Sequence, residues 1–354
     1  MSQIKNCLSQ LLKNNRIVTS APGRVDLGGG IDHRIISLVC QSENLKTFNI
    51  AVKLYTQVIL EPYKEGFIYI NSDKLGSKEY ESSKPQFNDK YSLISAITKY
   101  FNIDGVKISI QTEFPPMSGL GGSGSLSVAL ITIFVKVLNL EKKYNPKKII
   151  WLAHSIEDSL FKNTGLQDQA AACFGGINLF KWQYSDYSKI FKQINLNNPT
   201  IDFEKSSLIV YSGCPHYLTQ KGSRIIHSFF NQINCLDFVK KVNQNTDRFI
   251  KYLKIGDINN LKDCLNNEER LRHQFLKYRI PAASSKIISI ARKNNCGVKF
   301  VGGGGGGCLW ILGKPLQINQ VKEKISRLKS AQILLFNIDY HGVQSNSYLN
   351  SFKN

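Results

Sequence analysis

Residues 115–125 read Pro115-Pro116-Met117-Ser118-Gly119-Leu120-Gly121-Gly122-Ser123-Gly124-Ser125. Before them Val106, Ile108 and Ile110 alternate with Lys107, Ser109 and Gln111, which predicts a strand. After them residues 123–138 are strongly apolar, which predicts a buried helix. A glycine-rich turn between a strand and a helix lets backbone amides approach an anion closely, and the helix N-terminus adds unbonded N–H groups and a favourable dipole. That is the chemistry a triphosphate needs. The segment does not fit the G-x-x-x-x-G-K-[ST] pattern, because no lysine follows the glycines. An ordinary turn would account for a lone G-x-G; eleven residues of this character at a strand–helix junction favour phosphate binding.

Three further segments carry chemistry. Residues 21–32, Ala-Pro-Gly-Arg-Val-Asp-Leu-Gly-Gly-Gly-Ile-Asp, join an extended segment to a second glycine-rich turn. Residues 165–178, Gly-Leu-Gln-Asp-Gln-Ala-Ala-Ala-Cys-Phe-Gly-Gly-Ile-Asn, follow a helix expected over 149–161 and begin a short one. Here Asp168 stands where it could cap its own helix, and a helix N-terminus favours the carboxylate form. Residues 299–308, Lys-Phe-Val, six glycines and Cys308, lie between two apolar segments. A flexible hinge is the alternative to an active-site loop there.

These four segments together resemble the motifs of the GHMP kinase superfamily. Residues 115–125 are similar to its P-x-x-x-G-L-G-S-S-A phosphate loop, with Gly122 in place of the first Ser and Gly124 in place of Ala. Residues 21–32 are similar to its first motif in the form R-x-x-L-x-G-G-x-D, nearest the sugar kinases (galactokinase, fucokinase, heptose 7-phosphate kinase), with one residue fewer between Arg24 and Asp32. Residues 299–308 resemble K-x-x-G-A-G-G-G-G-C, with Gly303 for Ala, and residues 165–178 resemble G-x-Q-D-Q-x-A-A-x-F-G-G-x-N. The motifs occur in the family's order from residue 21 to 308.

The resemblance implies an ATP-dependent kinase acting on a hydroxyl of a sugar or sugar phosphate, with ATP and Mg²⁺ as cofactors. The phosphates of ATP would lie over 119–125, with Pro115, Ser118, Gly119, Leu120, Gly121, Gly122, Ser123, Gly124 and Ser125 as the binding segment. Ser123 and Glu157 would hold Mg²⁺. Asp158 competes with Glu157 for that role, its side chain about 100° away around the helix; a solvated helix charge is the plainer reading of both. Asp168 would take the proton of the attacking hydroxyl and Arg24 would steady developing charge. Asp32, Gly30, Gly304 and Gly305 would bind the acceptor. His216, in Ser212-Gly213-Cys214-Pro215-His216, either approaches the substrate or faces solvent. Two alternatives stand: a silent sugar and ATP sensor on the same fold, and a kinase of the mevalonate branch, where a lysine replaces Arg24.

The bulk properties agree. With 354 residues the chain is long for one core and suits two packed domains. Apolar residues make up 42% and charged residues 20%, a globular composition. The eight cysteines are scattered without C-x-x-C spacing, which argues against a zinc or redox site. No segment is long and apolar enough to cross a membrane, and the N-terminus lacks a secretion signal, so a cytoplasmic location is expected. The net charge of +20 raises nucleic-acid binding, but the lysines are dispersed and no arginine-rich or aromatic–basic segment accompanies them. We therefore expect a small-molecule partner, no nucleic acid and no membrane, and a monomer or homodimer.

The expected fold is α+β in two domains: residues 1–200 forming a ribosomal-S5-like ATP-binding domain, and 201–354 a ferredoxin-like domain, with the active site between them. Helices are expected over 2–14, 91–102, 123–138, 149–161, 223–232, 235–254, 258–275 and 316–329, and after Pro281. Strands are expected at 47–63, 66–72, 106–110, 207–213 and 332–338.

Overall fold

A computed structural model describes residues 12, 15–29, 31–33, 36, 40, 45–162, 164–183, 190–216 and 235–349. The helices expected over 2–14 and 223–232, and Gly30, lie outside the described residues.

The described chain runs β1 (Asn15–Leu27), β2 (Lys46–Pro62), β3 (Phe67–Ser72), β4 (Gly76–Glu81), α1 (Ser92–Tyr100), β5 (Val106–Thr112), α2 (Gly122–Val137), α3 (Pro146–Phe161), α4 (Gln167–Phe174), β6 (Ile177–Trp182), β7 (Phe191–Asn195) and α5 (Phe203–Ser206). It continues through β8 (Ser207–Tyr211), α6 (Cys235–Ile255), α7 (Ile258–Leu276), α8 (Ala282–Lys293), β9 (Gly297–Phe300), β10 (Cys308–Leu312), α9 (Pro315–Ser326), β11 (Gln332–Leu334) and β12 (Gln344–Leu349). The fold is α+β, as expected.

The described strands form two sheets. The larger runs β12-β1-β2-β5-β3-β4, with β6 and β7 branching from β2. That branching explains the 17-residue length of β2: Thr56–Pro62 pair with β5, whereas Lys46–Ile50 pair with β6. The smaller sheet, β11-β8-β10-β9, is antiparallel throughout. β3 is separated from β2 by β5 and runs parallel to β5. One detail departs from the sequence reading. The last strand of the second sheet stops at Leu334 instead of 338, because the chain crosses to β2: Lys53 donates to the Asn337 carbonyl at 2.8 Å and Asp339 donates to that of Ala51 at 2.9 Å.

α2 is the central helix. Val128, Ala129, Leu130, Ile131, Ile133, Phe134 and Val137 are fully buried, so it is apolar nearly all round, as a helix covered on every side must be. It packs on β1 and β2 and against α3 and α4. In α3, Asn145 caps the N-terminus by accepting from Lys148 N at 3.0 Å, and Pro146 stands where its missing N–H costs nothing. α7 packs on α6 and on β9, and Phe238 stacks on Phe275 at 4.1 Å between α6 and α7.

A buried charge network ties the sheets together. Lys299 of β9, wholly buried, reaches the Asp26 carboxylate on β1 at 3.5 Å and donates to the Asp26 carbonyl at 2.8 Å. On α7, Glu268 lies 3.9 Å from Lys299 and 3.3 Å from Arg272. Burial alone would raise the Asp26 carboxyl, but Lys299, Arg24 and Arg272 more than offset it and hold it at about 2. Burial pulls Lys299 down, against the pull of Asp26 and Glu268.

Among the described residues no helix is long and apolar enough to cross a membrane. The seven described cysteines are free thiols.

Removing one member of such a network strands the others without compensation. Lys299→Met should lower unfolding free energy at neutral pH by about 3–5 kcal/mol in urea titrations. The pH dependence has a defined sign. Asp26 contributes its full stability above its ordinary pKa of 3.8, and that stability is lost as pH falls towards about 2. In Lys299→Met this acid step should move to higher pH; an unmoved step would show that Lys299 does not hold Asp26 ionised.

Candidate active site

The phosphate-loop candidate lies between β5 and α2, and its carbonyls are turned inward. Ser118 accepts from Cys308 N at 2.7 Å, Gly119 accepts from the Arg24 guanidinium, and Leu120 accepts from Arg24 N at 2.9 Å. With the carbonyls taken up inside, the loop keeps its amide edge for a ligand. Gly121 is the N-cap of α2, at φ +82°, and supplies no side-chain cap. The first helical bond at this end runs from Ser125 N to the Gly121 carbonyl at 2.9 Å, so the amides of 122–124 precede the helical ladder. No acidic residue stands in this first turn. An uncapped helix N-terminus without a carboxylate of its own favours an anion. Pro115 is half-buried before the turn. Ser125 points into the sheet, bonding Thr56 at 2.8 Å, while Ser123 is exposed.

Arg24 on β1 is buried, and its guanidinium lies 2.6–2.9 Å from the Asp168 carboxylate. Asp168 stands in the first turn of α4 with 29% of its side chain exposed. It does not cap its own helix: Asp32 fills that role from the first motif, accepting from Gln167 N at 2.9 Å. Burial raises the Asp168 carboxyl, Arg24 opposes this, and Asp32 and Asp26 add to it. The outcome is a carboxylate oriented by an arginine, with proton affinity above that of an exposed aspartate.

Glu157 and Asp158 part ways on α3. Glu157 is buried, accepts from Gln169 Nε2 at 2.5 Å and from the Ser123 hydroxyl. Burial pushes its carboxyl up to about 7, partly relieved by Ser123, with Asp168 adding to the rise. Asp158 instead closes the end of α3, accepting from Thr164 N at 2.8 Å. A hydroxyl and a buried carboxylate starved of positive charge fit Mg²⁺, a cation that prefers oxygen ligands. The fit favours Ser123 with Glu157 over Asp158.

The glycine run is locked to the phosphate loop. A Cβ on Gly119 would lie 2.5 Å from the Val301 carbonyl, and one on Gly307 would lie 2.4 Å from that of Ser118. Gly302 donates to Asp26 at 2.9 Å, and its carbonyl accepts from Arg272. Gly304 and Gly305 lie against the Tyr278 ring, whose hydroxyl bonds Glu269 at 2.6 Å. The run is therefore a packed spacer between three segments.

Sequence reasoning left out the residues behind the site: Asp26, Glu268 and Arg272. The motif placed Asp26 in view, but nothing local marked the two α7 residues except an acidic and a basic side chain four apart on one helix face. Gln169 also went unassigned, although it lies within the motif and grips Glu157.

Residues 90–176 match the family model described as GHMP kinases N terminal domain, and residues 249–330 that described as GHMP kinases C terminal. Over 192 residues the chain is 34% identical to D-glycero-alpha-D-manno-heptose 7-phosphate kinase of Campylobacter jejuni; that match spans 51% of this chain and 55% of the relative, about half of each. Over 341 residues it is 24% identical to mevalonate kinase of Methanocaldococcus jannaschii, covering 91% of this chain and 98% of that one. The crystal structure of a D-glycero-D-manno-heptose 1-phosphate kinase from Bacteriodes thetaiotaomicron shares the fold, with TM-score 0.72, 20% identity and coverage of 93% and 98%.

Gly124 is where α2 meets the Asp168 side chain. A Cβ there would lie 2.5 Å from Asp168 Cβ and 3.1 Å from the Gln169 nitrogen, so α2 and α4 approach closer than an alanine allows. Gly124→Ala should push Asp168 away from Arg24 and lower kcat on the order of 10–100-fold, since ångström displacements cost that much. The KM for ATP should change little. Steady-state kinetics separate the two, and an unchanged kcat would show that α4 yields without moving the carboxylate.

Proposed function

We propose that this chain, which belongs to the GHMP kinases, transfers the γ-phosphoryl group of ATP to a hydroxyl of a sugar or sugar phosphate. The observation that carries the reading is the Arg24–Asp168 pair, 2.6–2.9 Å apart, set beside the uncapped N-terminus of α2. The 34% identity to a heptose 7-phosphate kinase supports a sugar acceptor. The nearly full-length match to a mevalonate kinase supports a second reading, with a mevalonate-type alcohol as acceptor.

In the mechanism, amides of the 119–125 segment receive the phosphates of ATP. Phosphoryl transfer depends on positioning and on neutralising charge more than on covalent chemistry. Asp168, held by Arg24, takes the proton of the attacking hydroxyl, and its raised basicity suits that role. Arg24 keeps the carboxylate aimed and balances negative charge as the proton moves. Ser123 and Glu157 would hold Mg²⁺, which supplies charge neutralisation on the phosphates. Asp32 accepts from Gln167 N and so fixes the start of α4 on which Asp168 stands; in this reading its carboxylate would also meet acceptor hydroxyls. Gly304 and Gly305, which lie against Tyr278, would bind the acceptor in this reading. A sequence division near residue 200 into an ATP-binding and a second domain belongs to this proposal.

Coupled ADP release measured over galactose, fucose, a heptose 7-phosphate and mevalonate tests the reading. Faster release with a sugar or sugar phosphate supports it, and release with mevalonate alone supports the second reading. Release with none of them sinks both.

Asp168→Asn keeps the shape and removes the base. It should lower turnover on the order of a hundredfold or more while nucleotide binding, followed by calorimetry, stays close to normal. Near-normal turnover would remove Asp168 from the chemistry. Glu157→Ala should raise the Mg²⁺ concentration needed for half-maximal rate, and Asp158→Ala should not. The reverse pattern would move the ligand by one residue.

A further inference from the structure

His216 lies at a junction that none of the four motifs covers. It ends the turn after β8, and both flanks of that turn are stitched down. Its backbone amide donates to the Met117 carbonyl at 2.8 Å. Gly307 N donates to the Cys214 carbonyl at 2.8 Å, and the Ser212 hydroxyl donates to the Gly307 carbonyl at 2.9 Å. The turn therefore bridges the phosphate loop and the glycine run, and Pro215 between them limits its freedom further. A side chain presented from such a frame is aimed, as substrate discrimination requires.

The residue is 9% exposed. It pairs with the backbone of Gly304, an interaction that raises its basicity as a carbonyl acceptor does, so the ring proton sits on that side. Burial works the other way and dominates, with Arg24 and Arg272 adding to it, and the ring is lowered to about 4. At neutral pH it is uncharged. Nδ1 then carries a lone pair, and no described residue donates to it. A buried acceptor left without a donor costs free energy. A phosphate oxygen cannot satisfy it, because both would be acceptors. A hydroxyl can.

We propose that His216 reads a hydroxyl of the phosphoryl acceptor through Nδ1, making it a specificity-determining residue of this cleft. The proposal rests on the kinase reading above for the identity of the ligand. It assigns His216 to the acceptor and not to ATP: Arg24 and Arg272 act electrostatically on the same ring, and Arg24 holds the carboxylate proposed as base.

The test uses the full chain and two variants. His216→Phe keeps a ring and removes the acceptor; His216→Asn keeps an oxygen near the position of Nδ1. With the best of galactose, fucose, a heptose 7-phosphate and mevalonate, His216→Phe should raise the acceptor KM tenfold or more and move the ATP KM less than about twofold. His216→Asn should recover most of the loss. A deoxy analogue lacking the contacted hydroxyl should lose little more in His216→Phe than it has already lost in the wild type. Equal changes in both KM values, or none, overturn the proposal. Should His216→Phe fail to fold, the Asn variant and a direct measurement decide: in ¹⁵N-histidine-labelled wild-type protein, adding the same compounds should shift His216 Nδ1 in the direction of an accepted hydrogen bond. An unmoved resonance with all four overturns the proposal. Wild-type protein that turns over none of them but shows the shift refutes the kinase reading and leaves the hydroxyl contact standing.

Discussion

The contact between Lys299 and Asp26 governs the rest of the structure. A lysine with no exposed surface is stable only if anions surround it, and the two that do so come from β1 of the larger sheet and from α7. Asp26 in turn fixes Gly302, and Arg272 holds the carbonyl of the same glycine. The glycine run is therefore anchored at one end by hydrogen bonds to this cluster, and Gly302 and Gly307 pack against the phosphate-loop candidate. Arg24, two residues before Asp26 on β1, inherits its position from the same anchor. The position of the Arg24–Asp168 pair thus depends on a charge cluster behind it.

Much of this was legible in the sequence, and the reason is physical. The phosphate loop announces itself because only glycines permit the backbone approaches found at Gly119, Gly307 and Gly124. The central helix announces itself because a helix buried on all sides has to be apolar all round. Asp168 sits beside Arg24, and the choice between Glu157 and Asp158 falls the way a helical wheel allows: one faces Ser123 while the other ends the helix.

Other parts were silent. Gly76–Glu81 and Gln344–Leu349 are edge strands of mostly polar residues, stabilised by partners that local pattern cannot reveal. The early stop of β11 follows from hydrogen bonds that Asn337 and Asp339 make to β2, a strand nearly 300 residues away in the chain on the scale that loop entropy counts. Asp32 read as a residue for acceptor hydroxyls, and its carboxylate also closes the start of α4. Glu268 and Arg272 look like an ordinary surface pair until α7 is placed against β9.

The pairing of β12 with β1 has a consequence for how the molecule is made. Thr19 bonds Ser345 across 326 residues, and Asn15–Ser20 are matched in register to Leu349–Gln344. During synthesis β1 emerges well before β12, and one of its edges stays without its partner until the intervening chain has been translated. A nascent chain in that condition offers an open strand to its neighbours. Such a topology makes late annealing of the large sheet a slow step, and high contact order predicts the same. A shortened translation product ending before residue 344 would keep every motif of the site and still carry a sticky edge at Asn15–Ser20.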